Sequence, residues 1–197
     1  DIVSGGELQR VLAAGGKAEK IIFSGVGKQD WELRLALEAG IGCFNLESVT
    51  ELTQLDRIAK SLDKIAPIAL RINPDISISS HPYIATGLRE SKFGIAHEEA
   101  LALYLNAAEL SHLKICGIAC HLGSQIDELA PFQAALTTLL HLVDALAEKN
   151  IRLEHLDIGG GLGVSYEDGS SYLPLTEFAE LIKKTLGQRS LKIMVEP

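Results

Sequence analysis

Apolar positions along the chain fall into two alternating kinds of run. Short near-continuous runs read as strands buried on both faces: Ile21 to Phe23, Ile41 to Leu46, Ile65 to Ile72, Ile115 to His121, Leu153 to Ile158 and Leu191 to Val195. Between them, apolar residues recur at helical spacing over Glu7 to Ala14, Trp31 to Ala39, Ser48 to Leu62, His97 to Ala108, Pro131 to Lys149 and Leu175 to Leu186. The punctuation agrees. Ser4 with Glu7 three residues on is a capping-box pattern, Gly15-Gly16 and Gly40 close the first two helices, and Lys183 and Lys184 sit in the last turn of the sixth. If Asp1-Ile2-Val3 is the tail of a strand, seven strands alternate strictly with helices, which predicts a parallel sheet with right-handed crossovers.

An open doubly wound sheet and most of an eight-stranded barrel both fit that order. No G-x-G-x-x-G follows the first strand, and polar or glycine residues end nearly every strand, where barrel enzymes place their chemistry. The expectation is an incomplete (β/α)8 TIM barrel in which residues 1–197 supply strands two to eight and the first strand is absent. The opening in mid-strand and the close on Val195-Glu196-Pro197 read as two cut ends. The polar stretch from Asp75 to Gly94 is too long for a plain connector.

Composition narrows the classes. At 197 residues, with 47% hydrophobic and 22% charged, the chain suits one soluble domain with a sizeable core. A net charge of −8 argues against a nucleic-acid partner. No apolar stretch is expected to reach the roughly 18 residues that span a bilayer, and no signal-peptide pattern is present. Cys43, Cys116 and Cys120 are odd in number and lack C-x-x-C spacing, so they read as buried reduced thiols of a cytoplasmic protein.

Chemistry is expected at the strand ends. Asp157-Ile158-Gly159-Gly160-Gly161 ends the seventh strand of that numbering in three glycines, which permit close approach of a ligand to the main chain and a nest of N–H groups for a phosphate. Barrels frequently build a phosphate site after strands seven and eight, and Glu196 ends strand eight. A carboxylate ending an apolar strand needs a partner, either a neighbouring cation or a ring nitrogen. His121, in His121-Leu122-Gly123-Ser124-Gln125, is either a hydrogen-bonded core residue or a ligand contact, with Ser124 supplying a hydroxyl donor. Arg71 must find an anion in the barrel mouth, and Asp1 is the candidate partner. The six histidines lack metal-ligand spacing, so no metal is expected.

These residues resemble a known family. Val3-Ser4-Gly5-Gly6-Glu7-Leu8, Arg71-Ile72-Asn73-Pro74, His81-Pro82-Tyr83-Ile84, Ser91-Lys92-Phe93-Gly94-Ile95, His121 to Gln125, Asp157 to Gly163 and Glu196-Pro197 resemble, in order and over the whole chain, the diaminopimelate decarboxylases among the fold-type III pyridoxal-phosphate decarboxylases. The His-Pro-Tyr-Ile, Gly87 and Ser91-Lys92-Phe93-Gly94-Ile95 segments favour diaminopimelate over arginine, ornithine or carboxynorspermidine. The resemblance implies an alanine-racemase-like barrel, pyridoxal 5'-phosphate as cofactor, a homodimer, and conversion of meso-2,6-diaminopimelate to L-lysine. It implies that Gly159, Gly160, Gly161 and Ser124 hold the phosphate, that His121 stacks on the ring, and that Glu196 pairs with the protonated ring nitrogen. Asp1, Glu7, Arg71 and Lys92 would order the site. The family's Tyr-x-x-Lys-Ala pattern with the cofactor-anchoring lysine does not occur here, nor does its C-terminal β domain, so the segment by itself is expected to be inactive. A non-catalytic pyridoxal-phosphate barrel is the remaining alternative.

Overall fold

The computed structural model describes residues 1–76, 93–164 and 173–196. Its elements are α1 (Gly5–Ala13), β1 (Ile22–Phe23), α2 (Asp30–Ala39), β2 (Cys43–Leu46), α3 (Val49–Ser61), β3 (Ala66–Asn73), β4 (Ile95–Ala96), α4 (His97–Ala108), β5 (Leu113–Ala119), α5 (Leu129–Glu148), β6 (His155–Asp157), α6 (Leu175–Leu186) and β7 (Lys192–Met194). The sheet runs β1-β2-β3-β5-β6-β7, with two-residue β4 pairing to β3, and the pairs are parallel. Spatial order thus follows chain order. A doubly wound sheet would reverse at a switch point.

The sheet is also curled. β2 and β6 are three strand spacings apart, about 14 Å in a flat sheet. Yet the Asn45 side chain on β2 lies 3.4 Å from the Asp157 carboxylate on β6. Only a sheet bent round its own interior brings those ends together, the curled partial barrel that the polar strand ends favour over the doubly wound sheet. Ile2 extends the curl by one parallel bridge to Phe23, donating to Ile22 O at 2.9 Å and accepting from Ser24 at 2.8 Å.

One apolar core fills the space between sheet and helices, with Phe23, Phe44, Leu46, Ile68, Leu70, Ile118 and Leu156 almost wholly buried on the strands. Tyr104 of α4 is fully buried, and its hydroxyl donates to Gly117 O at 2.8 Å and accepts from Leu70 N at 3.3 Å, tying the helix to β3 and β5. α5 corrects one expectation. By length and mean hydropathy, 1.3 over 18 residues, it could span a bilayer. Its Phe132, Ala135, Leu136, Leu139, Leu140, Val143 and Leu146 instead lie buried in the core, the stripe of a helix packed against a sheet.

The first cap is also corrected. Ser4 Oγ accepts from Glu7 N at 3.2 Å as expected, but the Glu7 carboxylate accepts from Val3 N at 2.6 Å, not from Ser4. The reciprocal capping box belongs to α2, between Gln29 and Glu32. His81, Pro82, Tyr83, Ile84, Gly87, Ser91 and Lys92 lie outside the described residues.

Candidate active site

Parallel pairing sends every strand's C-terminal end to the same rim, and there the interior opens into a cavity of about 290 Å³. Asp1, Arg71, His121 and Glu196 share its wall with Ser24, Asn45, Phe93, Cys120 and Asp157. Four of the anticipated residues, from four separate segments of chain, are therefore brought together.

The glycine turn stands against the same wall. Gly159 (φ +67°) and Gly161 (φ +96°) occupy the left-handed region that side chains disfavour. A Cβ on Gly159 would stand 2.5 Å from Cys120 O and 2.9 Å from His121 Nδ1. One on Gly160 would run into the Glu196 carbonyl, and one on Gly161 into the Gly123 carbonyl. Two segments converge on this turn, the loop between β5 and α5 and the residues after β7. Glu196 N donates to Gly159 O at 2.9 Å, Ile126 N to Gly161 O at 2.8 Å, and Gly160 N to His121 Nδ1 at 3.3 Å. Ser124 is exposed beside Gly123 and is not on the cavity wall.

Arg71 finds its anion in Glu47, NH1 to Oε1 at 2.9 Å, with both side chains largely buried. Asp1, expected as that partner, accepts from Ser24 Oγ at 2.8 Å instead. The reason is register. Arg71 points from β3 toward the end of neighbouring β2, whereas Asp1 lies beside β1, one strand further away. A polar chain crosses the mouth from there: Asn45 Nδ2 donates to Ser24 Oγ at 3.0 Å and approaches Asp157 Oδ2 at 3.4 Å. Gly159 N donates to the other Asp157 oxygen at 2.9 Å.

Asp157 is the residue that the sequence reading left without a role. It is almost completely buried, and its carboxyl shares the cavity wall with that of Glu196, close enough for each to perturb the other. Two adjacent carboxyls in a low-dielectric site share a proton more readily than they ionise together. Burial first, then the Asp157 charge, pushes the Glu196 carboxyl up to about 7. Burial likewise raises Asp157, opposed by its bonds to Gly159 and Asn45. The test applied to Glu196, a carboxylate ending an apolar strand, would have singled out Asp157 as well. Burial, and next the charge on Arg71, lowers His121 below the usual histidine range, so its ring is neutral at pH 7. Cys43, Cys116 and Cys120 are buried thiols as expected, with burial holding Cys120 at about 12.

The site suits a ligand that brings a cationic N–H to Glu196, while the Gly159 and Gly160 amides already donate to Asp157 and His121. Such a donor against Glu196 offsets the desolvation and repulsion that keep its proton on, and the turn beside it has no room for a side chain at the three glycines. No group of three or more metal-ligating side chains lies among the described residues.

Comparison with known proteins agrees. The family model described as the pyridoxal-dependent decarboxylase, pyridoxal binding domain, matches residues 1–197. Diaminopimelate decarboxylases of Neisseria meningitidis serogroup B and Pseudomonas aeruginosa are 53% and 54% identical across the whole chain. The chain spans 47% of the length of each. The crystal structure of Helicobacter pylori diaminopimelate decarboxylase complexed with L-lysine superposes with a TM-score of 0.95 at 41% identity, over 99% of this chain and 49% of that one. The chain belongs to the pyridoxal-binding-domain family of the pyridoxal-dependent decarboxylases.

Proposed function

We propose that this mouth binds pyridoxal 5'-phosphate, and that the protein carrying it decarboxylates meso-2,6-diaminopimelate to L-lysine. The observation that carries the reading is the Glu196 carboxyl, which faces the same cavity as Arg71 and His121 and adjoins the glycine turn. The relatives' names and the lysine bound to the Helicobacter protein support the substrate. Gly159, Gly160 and Gly161, with the Ser124 hydroxyl at the rim, hold the phosphate. His121 lies against the ring. Its neutral state places no second positive charge beside a protonated nitrogen. Glu196 accepts the ring N–H and keeps that proton in place, beside Asp157 on the same wall. The bound cofactor supplies a sink for the electron pair that remains when CO₂ departs. Because Glu196 stabilises that charge distribution more than the resting one, its effect falls on turnover. Residues 1–197 are in this reading strands two to eight of the barrel, in an enzyme active as a homodimer.

The test is CO₂ release by the protein expressed from its full gene, with diaminopimelate, arginine, ornithine and carboxynorspermidine in parallel. Preference for diaminopimelate is expected. Equal or greater turnover of another substrate contradicts the assignment, and absence of turnover with bound cofactor favours a non-catalytic barrel.

A further inference from the structure

Arg71 sits within electrostatic reach of His121, Cys120 and Glu196, all on the cavity wall. A guanidinium in such a place is drawn toward the carboxylates opposite. It is held elsewhere. Its NH1 bonds Glu47 Oε1 at 2.9 Å, and the Phe93 ring lies 5.5 Å from its central carbon.

Glu47 is itself fixed from behind. It follows β2 and precedes Ser48, the N-cap of α3, where the helix end favours a carboxylate. Its backbone N–H donates to Glu51 Oε2 at 2.8 Å. The same Glu51 oxygen lies 3.4 Å from Lys28 Nζ, which also donates to Gly25 O at 2.5 Å and Asn45 O at 2.7 Å. Two cations, Lys28 and Arg71, thus flank two carboxylates, Glu51 and Glu47, that are linked through the Glu47 amide, and the Lys28 and Glu47 side chains are only 1% and 2% exposed. Glu47 Oε2 and Glu51 Oε1 have no hydrogen-bond partner among the described residues. Carboxylates buried this far persist only with their cations in place, so the chain has little freedom to rearrange.

We propose that Glu47 is a positioning residue that holds Arg71 on the α3 side of the mouth and so leaves Glu196 to the cofactor's ring nitrogen, an inference that rests on the cofactor reading above. Without its partner, Arg71 turns to Glu196, whose carboxyl already lies within reach of its charge, and competes with the cofactor for it.

The experiment is a double-mutant cycle in the protein expressed from its full gene, with pyridoxal 5'-phosphate as the probe. Affinity and the pH midpoint of the bound cofactor's absorbance are measured for wild type, Glu47→Gln, Arg71→Gln and the double variant. Glu47→Gln is expected to weaken binding roughly tenfold or more and to shift the midpoint, since a buried pair is broken. In the Arg71→Gln background the same change should alter affinity by less than about twofold, because its effect runs through Arg71. Glu47→Asp, which keeps the charge, should recover part of the loss and carries the cycle if Glu47→Gln does not fold. Additive effects, or an unmoved midpoint in Glu47→Gln, overturn the inference while leaving the cofactor reading intact. A wild-type protein that does not bind pyridoxal 5'-phosphate overturns both.

Discussion

Lys114 and Glu154, at the strand starts, meet at 2.8 Å with side chains about 60% exposed; Arg71 and Glu47, at the strand ends, meet at 2.9 Å with side chains 15% and 2% exposed. The distances are nearly equal, but the consequences differ. Water screens the first pair to the roughly 0–1 kcal/mol of a surface salt bridge, whereas removing one member of a buried pair costs about 3–5 kcal/mol. The histidines repeat the contrast. Burial lowers both His155 and His121. His155 packs its ring against Gly117, where any Cβ would collide with it, and lines a separate cavity at the strand starts. His121 lies on the wall of the cavity at the strand ends, with its Nδ1 on the Gly160 amide, so burial there tunes a group that faces that cavity.

That contrast is open to attack at graded strength. The largest effect is expected from Glu196→Gln, which should lower decarboxylase turnover by about 10²–10³-fold with little change in KM, as for other groups that act on developing charge; steady-state CO₂ release checks it. Gly160→Ala comes next. Its Cβ enters the space of the Glu196 carbonyl, so cofactor affinity should fall, and overpacking should cost about 1–3 kcal/mol in a denaturant titration of the cofactor-free protein.

A pH effect follows. Glu196 has its folded-state pKa raised from 4.5 to about 7, so the folded protein binds more protons than the unfolded chain between those values. Its contribution therefore favours folding at low pH and is lost as pH rises from about 4.5 through about 7. His121 and His155, lowered by burial, act in the opposite direction as pH rises toward 6.5. The quantity to measure is therefore the difference in melting temperature between wild-type and Glu196→Gln cofactor-free protein, which should shift toward the variant as pH rises. The smallest effect belongs to the opposite rim, where Lys114→Ala should change stability by no more than about 1 kcal/mol and leave cofactor affinity unaltered. A larger loss of affinity there would erase the distinction between the two ends.

Periodicity and caps made much of the scaffold legible. His97–Ala108 and Leu175–Leu186 form with the bounds that their spacing predicts, and Gly40 ends α2 at φ +72°. Two-residue β4 is too short to leave a periodic signal, and it forms because it finds a place beside Ile72 and Asn73. Arg71, His121 and Glu196 could be nominated because each polar side chain ends an apolar run. Their partners could not. Glu47 lies 24 positions from Arg71, and Asn45 lies 112 from Asp157, distances set by the curl of the sheet and not by any local pattern. The choice of Asp1 for Arg71 failed for that reason: complementary charge identifies candidates, but strand register selects among them.

The account depends on Glu196 holding a proton on the ring nitrogen of a cofactor seated in the mouth. ¹⁵N NMR of protein loaded with ring-labelled pyridoxal 5'-phosphate reads that proton directly. A protonated ring nitrogen in the wild-type protein and its loss in Glu196→Gln are the expected results; an unprotonated nitrogen in the wild type, or the same signal in both, would contradict the account.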